Sequence, residues 1–349
     1  MEMDAKQQDF QSGSHLDRLL ATFRILDGSR ILLTGGTGFV GKWLLKAAKT
    51  AQETSPTKVE LVLPSRQLSA AHTLSAIKIG CPNITWIEGD FLTGSLDFGH
   101  VDMIIHAATP ASASLNHNRP DEMLRVNVQA MKSILAYSRE AIPFLFTSSG
   151  AVYGTQPQSI SHMAEGIFEP DSPIENLNAY AKGKRIAEQL CKDAGRLGDC
   201  SPIIARLFTF GGEYLPRDTH FAIGNFIQNC LKKEPILING DGRSRRSYLY
   251  GADMATWLWS ALAVNDNTVP LHIGSEHSRS IFELAQTVAT VSFQLLGYKP
   301  EIIVSRAVND SEPIHVYVPA NLLTREKLDV SEWTSLEQTI RLTMMNAVA

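Results

Sequence analysis

The sequence predicts an α/β protein: a doubly wound parallel sheet with a smaller lobe toward the C-terminus. Three observations predict it. Short apolar runs recur along the first part of the chain, segments with helical spacing separate them, and a glycine-rich turn joins the first run to the first such segment. Continuous apolar runs, as opposed to alternating ones, mark strands buried on both faces, which is the environment of a parallel sheet.

Up to Asp27 a polar segment leads into a stretch where Leu16, Leu19, Leu20 and Phe23 share one helical face. This extension, residues 1–27, is expected to pack on the outside of the fold as a docking helix that adds stability. Ile31-Leu32-Leu33 is the first strand, and a helix follows over about 39–51. Strands two to four are expected at Val59 to Leu63, Ile84 to Ile87 and Met103-Ile104-Ile105. A long helix is expected over 120–139, then a strand at Phe144-Leu145-Phe146, a helix over 179–194 and a strand at Ile203-Ile204-Ala205. After Phe210 the rhythm breaks into helical patterns at 222–232, 253–264 and 281–296. Residues 28–210 thus read as the sheet domain. Residues 211–349 read as a lobe, with some elements returning to the sheet.

Composition narrows the class. A length of 349 residues suits two domains, or one large α/β domain with a lobe. Hydrophobic residues at 44% and charged residues at 19% exclude intrinsic disorder. A net charge of −4 argues against a broad nucleic-acid surface. No run approaches the roughly 20 apolar residues of a membrane span. The start MEMDAKQQDF lacks the basic-then-apolar pattern of a secretory signal, so a cytoplasmic protein is expected. Cys81, Cys191, Cys200 and Cys230 form no CxxC pair and no zinc spacing, so reduced thiols and no metal are expected.

Thr34-Gly35-Gly36-Thr37-Gly38-Phe39-Val40-Gly41 follows the first strand and opens the first helix. Gly35 permits a tight turn, Gly38 lets backbone approach a pyrophosphate, and Gly41 lets the helix pack closely. That is the mark of a Rossmann-type dinucleotide site. Gly36 to Lys42 also fits the start of a P-loop, but Trp43 stands where a magnesium-binding Ser or Thr is needed. After the second strand, Leu63-Pro64-Ser65-Arg66 offers no acid for the ribose hydroxyl of NAD. Arg66 leans the choice modestly toward NADP, whose 2′-phosphate it would pair with.

Tyr180 and Lys184 lie four apart at a helix start and so share a face. A nearby ammonium favours the phenolate, which makes Tyr180 a candidate acid/base. Ser149, in Ser148-Ser149-Gly150-Ala151-Val152-Tyr153-Gly154, sits just after the fifth strand, where hydroxyls face the ligand crevice.

These motifs occur together with Gly89-Asp90-Phe91, Ile105-His106-Ala107-Ala108 and Asn127 in RVNVQA. The set resembles the extended short-chain dehydrogenase/reductase superfamily, in its NAD-dependent epimerase/dehydratase branch that modifies nucleotide sugars. The resemblance covers roughly residues 30–264, with weaker agreement to about 336. It implies that NAD or NADP is held by Gly35, Thr37, Gly38, Phe39, Val40, Gly41, Asp90, Phe91, Ala107, Ala108, Asn127, Tyr180, Lys184 and Phe208. It further implies that Tyr180 is the acid/base, that Lys184 holds the nicotinamide ribose and tunes Tyr180, and that Ser149 hydrogen-bonds the reacting sugar oxygen.

The lobe adds a substrate side. His220 to Ile227 resembles the family helix in which Asn225 contacts the sugar diphosphate. Gly240-Asp241-Gly242 followed by Arg246 looks like the family's diphosphate clamp, and a fixed guanidinium fork suits phosphate oxygens. Arg243 reads as solvated. Asp253 reads as a cap for the next helix. Thr209 stands where the family often has Asn beside the substrate.

Gly150 and Ala151 replace the Asp and Glu that the family's 4,6-dehydratases use, and its decarboxylases also carry an acid at the second position. A typical dehydratase or decarboxylase is therefore not expected. A nucleotide-sugar epimerase and a 4-ketoreductase both stay open. An intact Ser149, Tyr180 and Lys184 argues against a non-catalytic dinucleotide sensor, and Arg246 has no purpose in a reductase of non-sugar carbonyls. The helices over 120–139 and 179–194 resemble those that pair in the family's homodimers.

Overall fold

A computed structural model describes residues 9–10, 13–67, 83–93, 96–110, 112–167, 169–217 and 221–348. Cys81 and His220 lie outside the described residues.

The sheet domain carries strands β1 (Arg30–Thr34), β2 (Glu60–Ser65), β3 (Ile84–Glu88), β4 (Met103–His106), β5 (Ile142–Ser149) and β6 (Cys200–Leu207). Its helices are α1 (Gly13–Ile25), α2 (Phe39–Thr54), α3 (Ala113–Asn118), α4 (Pro120–Leu135) and α5 (Ala179–Leu197). Short strands β7 (Phe210–Gly211), β8 (Ile236–Ile238), β9 (Arg245–Arg246) and β10 (Leu249–Tyr250) follow, then β11 (Leu271–Ile273), β12 (Arg279–Ser280), β13 (Ile302–Val304) and β14 (Val316–Tyr317). The later helices are α6 (Ala222–Lys232), α7 (Gly251–Val264), α8 (Ile281–Leu296), α9 (Leu322–Leu328) and α10 (Leu336–Val348).

Seven strands form one sheet in the order β11-β6-β5-β4-β1-β2-β3, and every neighbouring pair is parallel. The chain runs outward from β1 to β3, then crosses back to β4 and runs the other way. Such a switch opens a crevice beyond the carboxyl ends of β1 and β4, where ligands of doubly wound sheets bind. β11 comes from the lobe and extends the sheet by pairing with β6.

Helix α1 is more than an outer docking element. Leu19, Phe23 and Leu26 are fully buried in the same core as Trp43, Trp257 and Trp259. Phe23 meets Trp259 edge-on at 5.1 Å between ring centroids. His15 stacks on Trp333 at 4.2 Å. The helix expected over 120–139 ends at Leu135, because the chain must reverse there: Glu140 and Ala141 take positive φ, and the Ala141 N–H donates to the Gly198 carbonyl.

The lobe has its own core of Ile223, Phe226, Ile227, Leu284, Val288, Ile340 and Met344. In it β9 is paired by β12 on one side and β14 on the other. Asp253 does not cap α7. It lies buried in the first turn and accepts from the Thr334 backbone N–H at 3.0 Å and the Thr334 hydroxyl at 2.9 Å. Nor is Arg243 free in solvent: its Nε donates to Asp241 at 2.7 Å.

Buried titratable groups give this fold a marked response to acid. Burial pulls His15, His106 and His272 each down to about 3. An unfolded chain titrates histidine near pH 6.5. Their stabilising contribution is therefore complete above about pH 6.5 and is lost as pH falls toward 3. Asp253 has the opposite sign, because burial lifts it to about 7, and its contribution is lost as pH rises through that value. Between about pH 5 and 6.5 the three histidines outweigh Asp253, so stability should fall as the solution is acidified through that range. Thermal midpoints taken at half-unit steps from pH 7 to 4.5 check this. A flat profile would contradict it.

Candidate active site

The loop after β1 is shaped for a dinucleotide. Gly35 takes φ +80°, and a Cβ on it would lie 2.6 Å from the Ala107 backbone. A Cβ on Gly41 would lie 2.2 Å from the Gly35 carbonyl oxygen. Both positions therefore need glycine to close the loop on itself and on the strand β4 end. Gly38 differs. A Cβ there would meet only the Gly35 oxygen, at 3.4 Å, and Gly38 caps α2 without any side-chain hydrogen bond. The N–H groups of the first turn thus face an open cradle, the arrangement that receives a pyrophosphate. Thr37 is exposed, and Phe39 and Val40 are half-buried beside this cradle. Trp43, which broke the P-loop pattern, points into the core and donates to the Glu213 carbonyl at 3.0 Å.

The other strand ends supply the rim. Arg66 is exposed one residue beyond β2. Asp90 follows β3, and its carboxylate accepts from the Leu92 N–H at 3.0 Å, which shapes the turn carrying Phe91. Ala107 and Ala108 follow β4 and back the glycine loop. Asn127 stands apart from this rim. It is fully buried between α4 and α5, where a Cβ on Gly183 would lie 2.8 Å from its own Cβ, and its Nδ2 donates to the Met123 carbonyl.

At the end of β5 the structure brings Ser149, Tyr180 and Lys184 together. Ser149 accepts from the Ala151 N–H at 3.2 Å and lies beside the Tyr180 phenol. Asn178 caps α5, and Asn116 of α3 accepts from the Tyr180 backbone N–H at 2.9 Å, so the helix start is held from two sides. Lys184 donates to the Thr147 carbonyl at 2.7 Å and to the Thr109 hydroxyl. Its ammonium stands 5.9 Å from the centroid of the Tyr180 ring. Burial pulls Lys184 down to about 7, opposed by Glu188. The Tyr180 phenol is pushed up by burial and drawn back by Ser149. The expected lowering of Tyr180 by Lys184 is thus outweighed, because desolvation exceeds the pull of a cation this far away.

Beneath these groups lies a buried polar network that sequence reasoning missed. The Glu188 carboxylate accepts two bonds from Arg206, at 3.0 and 2.7 Å, and a third from the Ser148 hydroxyl. Arg206 also donates to the Tyr153 hydroxyl at 2.8 Å. Tyr153 pairs with His272 Nε2 at 2.6 Å, and His272 Nδ1 lies 2.9 Å from the Ala320 carbonyl. A neutral ring satisfies both contacts if Nδ1 carries the proton and Nε2 accepts from Tyr153.

On the lobe side, Phe208 follows β6, with its ring 5.0 Å from His272 and 4.9 Å from Tyr317. Thr209 is half-buried, and its carbonyl accepts from the Leu249 N–H. Asn225 lies half-buried in the first turn of α6. Arg246 on β9 donates to the Arg245 and His315 carbonyls and makes no ion pair among the described residues. Tyr317 on β14 brings its hydroxyl to the Ser149–Gly150 turn and was not foreseen. A lone tyrosine in a short strand carries no motif that would have found it.

The family model for the NAD dependent epimerase/dehydratase family matches residues 31–274. The chain belongs to that family. It is accordingly an NAD(P)-dependent enzyme of the extended short-chain dehydrogenase/reductase type. Curated relatives include UDP-glucuronic acid decarboxylase 1 of Arabidopsis thaliana, 28% identical over 312 residues, covering 88% of this chain and 67% of the relative. UDP-glucuronic acid decarboxylase 2 of the same plant is 30% identical, covering 75% of this chain and 56% of the relative. UDP-glucuronic acid decarboxylase 6 is 31% identical, covering 74% and 73%. These relatives stand against the expectation that decarboxylases are excluded. Among solved structures, UDP-glucuronic acid 4-epimerase from Bacillus cereus aligns with a TM-score of 0.73 at 18% identity, covering 92% of this chain and 100% of that one. UDP-glucose 4-epimerase from Thermotoga maritima aligns with a TM-score of 0.72 at 18% identity, covering 91% and 98%. At this identity the structural likeness speaks to the fold.

Proposed function

We propose that the protein is a nucleotide-sugar oxidoreductase that reduces a 4-keto sugar, with 4-epimerisation as the second reading. One observation carries it: Ser149, Tyr180 and Lys184 converge at the crevice, while Gly150 and Ala151 bring no carboxyl group at the two positions after Ser149. A bound nicotinamide supplies or accepts hydride at its C4. Tyr180 gives a proton to the sugar oxygen as the carbonyl becomes a hydroxyl, and Ser149 holds that oxygen by a hydrogen bond. Lys184 holds the nicotinamide ribose. Arg246 and Asn225 grip the diphosphate, which suits a half-buried guanidinium without a carboxylate partner among the described residues.

The strand β2 end favours reduction over epimerisation, because it offers Arg66 and no acid, as an NADP site would. Likeness in fold to two 4-epimerases supports the second reading. We further propose a cytoplasmic homodimer paired through α4 and α5, as the family resemblance implies.

The purified protein is incubated with NADPH and a 4-keto-6-deoxy nucleotide sugar, and separately with NAD and UDP-glucose or UDP-glucuronic acid. Loss of the reduced-nicotinamide absorbance in the first mixture is the expected result. No loss there, with UDP-galactose formed in the second, would replace reduction by epimerisation. Release of carbon dioxide from UDP-glucuronic acid would overturn both in favour of the activity named for the curated relatives.

A further inference from the structure

Tyr317 reaches the Ser149 hydroxyl from the far lobe. It stands in register with Arg246, on the strand paired with β9. The Arg246 guanidinium lies 5.8 Å from the centroid of the Tyr317 ring, and the Phe208 ring packs on it at 4.9 Å. Held this way, the phenol lies at the Ser149–Gly150 turn, beside the Ser149 side chain, and donates weakly to the Leu207 carbonyl at 3.5 Å. A Cβ on Gly150 would lie 2.7 Å from the Tyr317 oxygen and 2.6 Å from the Phe208 ring. The phenol therefore takes the space that a side chain at position 150 would need. Ser149 also lies beside the Tyr180 phenol, so it stands between two phenols.

We propose that Tyr317 is a positioning residue: its hydroxyl orients Ser149 toward Tyr180, and its ring ties that alignment to the diphosphate grip of Arg246. The proposal rests on the roles given above to Ser149 and Tyr180. A serine hydroxyl has one proton and rotates freely, so a fixed second partner decides where that proton points. A phenol braced by a guanidinium and a second ring is such a partner. An anion drawn to Arg246 acts on the same ring, which couples substrate binding to the alignment of the hydroxyls.

The test uses protein labelled with carbon-13 at tyrosine Cζ, with the Tyr180 and Tyr317 signals assigned by single Phe replacements. Tyr317→Phe should move the Tyr180 signal, and should leave it unmoved when Ser149 is already Ala. In turnover, Tyr317→Phe should lower kcat by about 10- to 100-fold. The KM for the sugar nucleotide should stay within about threefold, because positioning acts on the chemical step. An unchanged thermal midpoint shows that the variant is folded. A Tyr180 signal indifferent to Tyr317→Phe, or a variant with wild-type kcat, overturns the proposal. If the wild type turns over no nucleotide sugar, the proposed function falls, and the Tyr180 signal by itself decides the role of Tyr317.

Discussion

Replacing Tyr180 with Phe is expected to lower kcat by about 10²- to 10⁴-fold while dinucleotide binding persists. The change removes one oxygen and leaves the ring that packs at the start of α5. The proton for the sugar oxygen then has no donor in place. Ser149 cannot substitute, because an alkyl hydroxyl is far less acidic than a phenol. Steady-state kinetics together with calorimetric titration of the dinucleotide check the two halves of this prediction. A variant within threefold of wild-type kcat would remove Tyr180 from the chemistry. Loss of dinucleotide binding as well would point to a structural defect.

The second large effect concerns stability. Arg206 and Glu188 form a fully buried ion pair at 2.7 Å. Removing one partner strands the other charge in the interior, which costs about 3–5 kcal/mol in comparable sites. Arg206→Met should therefore destabilise the fold by roughly that amount in denaturant titration. Combining it with Glu188→Leu should recover much of the loss, since neither charge then remains buried. A single variant within about 1 kcal/mol of wild type would show that water or local relaxation already compensates the carboxylate. Glu188 also lies one turn beyond Lys184, so catalysis in the double variant reports separately on what the carboxylate does for the lysine.

Much of the sheet was legible because its signals are local. Apolar runs such as Ile31 to Leu33, the glycines at 35, 38 and 41, and the four-residue spacing of Tyr180 and Lys184 each carry their meaning within one turn or strand. The parallel order then lines up the ends of β1 to β6, which explains why residues scattered from Gly35 to Thr209 gather along one crevice. What was not legible depends on distant partners. Phe23 was read as part of an apolar helical face, but its place in the main core depends on distant partners such as Trp259, which helical spacing does not name. Arg206 follows the expected strand Ile203-Ile204-Ala205 without any motif of its own, and its partner Glu188 lies on a helix whose face was assigned only through Tyr180 and Lys184. Asn127 matched a motif, yet its side chain is closed between two helices. Tyr317 enters the site because β14 pairs with β9, a two-residue contact that no periodicity encodes. The influence of Lys184 on Tyr180 depended on burial, which spacing along a helix does not reveal.

The most direct test of the central claim follows the hydride itself. NADPH carrying deuterium at the transferable C4 position is given to the enzyme with a 4-keto-6-deoxy nucleotide sugar, and the product is read by mass spectrometry and proton NMR. Deuterium should appear at C4 of the product sugar, and that transfer should fall with kcat in Tyr180→Phe. A reduced sugar without deuterium at C4, or no reduced sugar at all, would contradict the account.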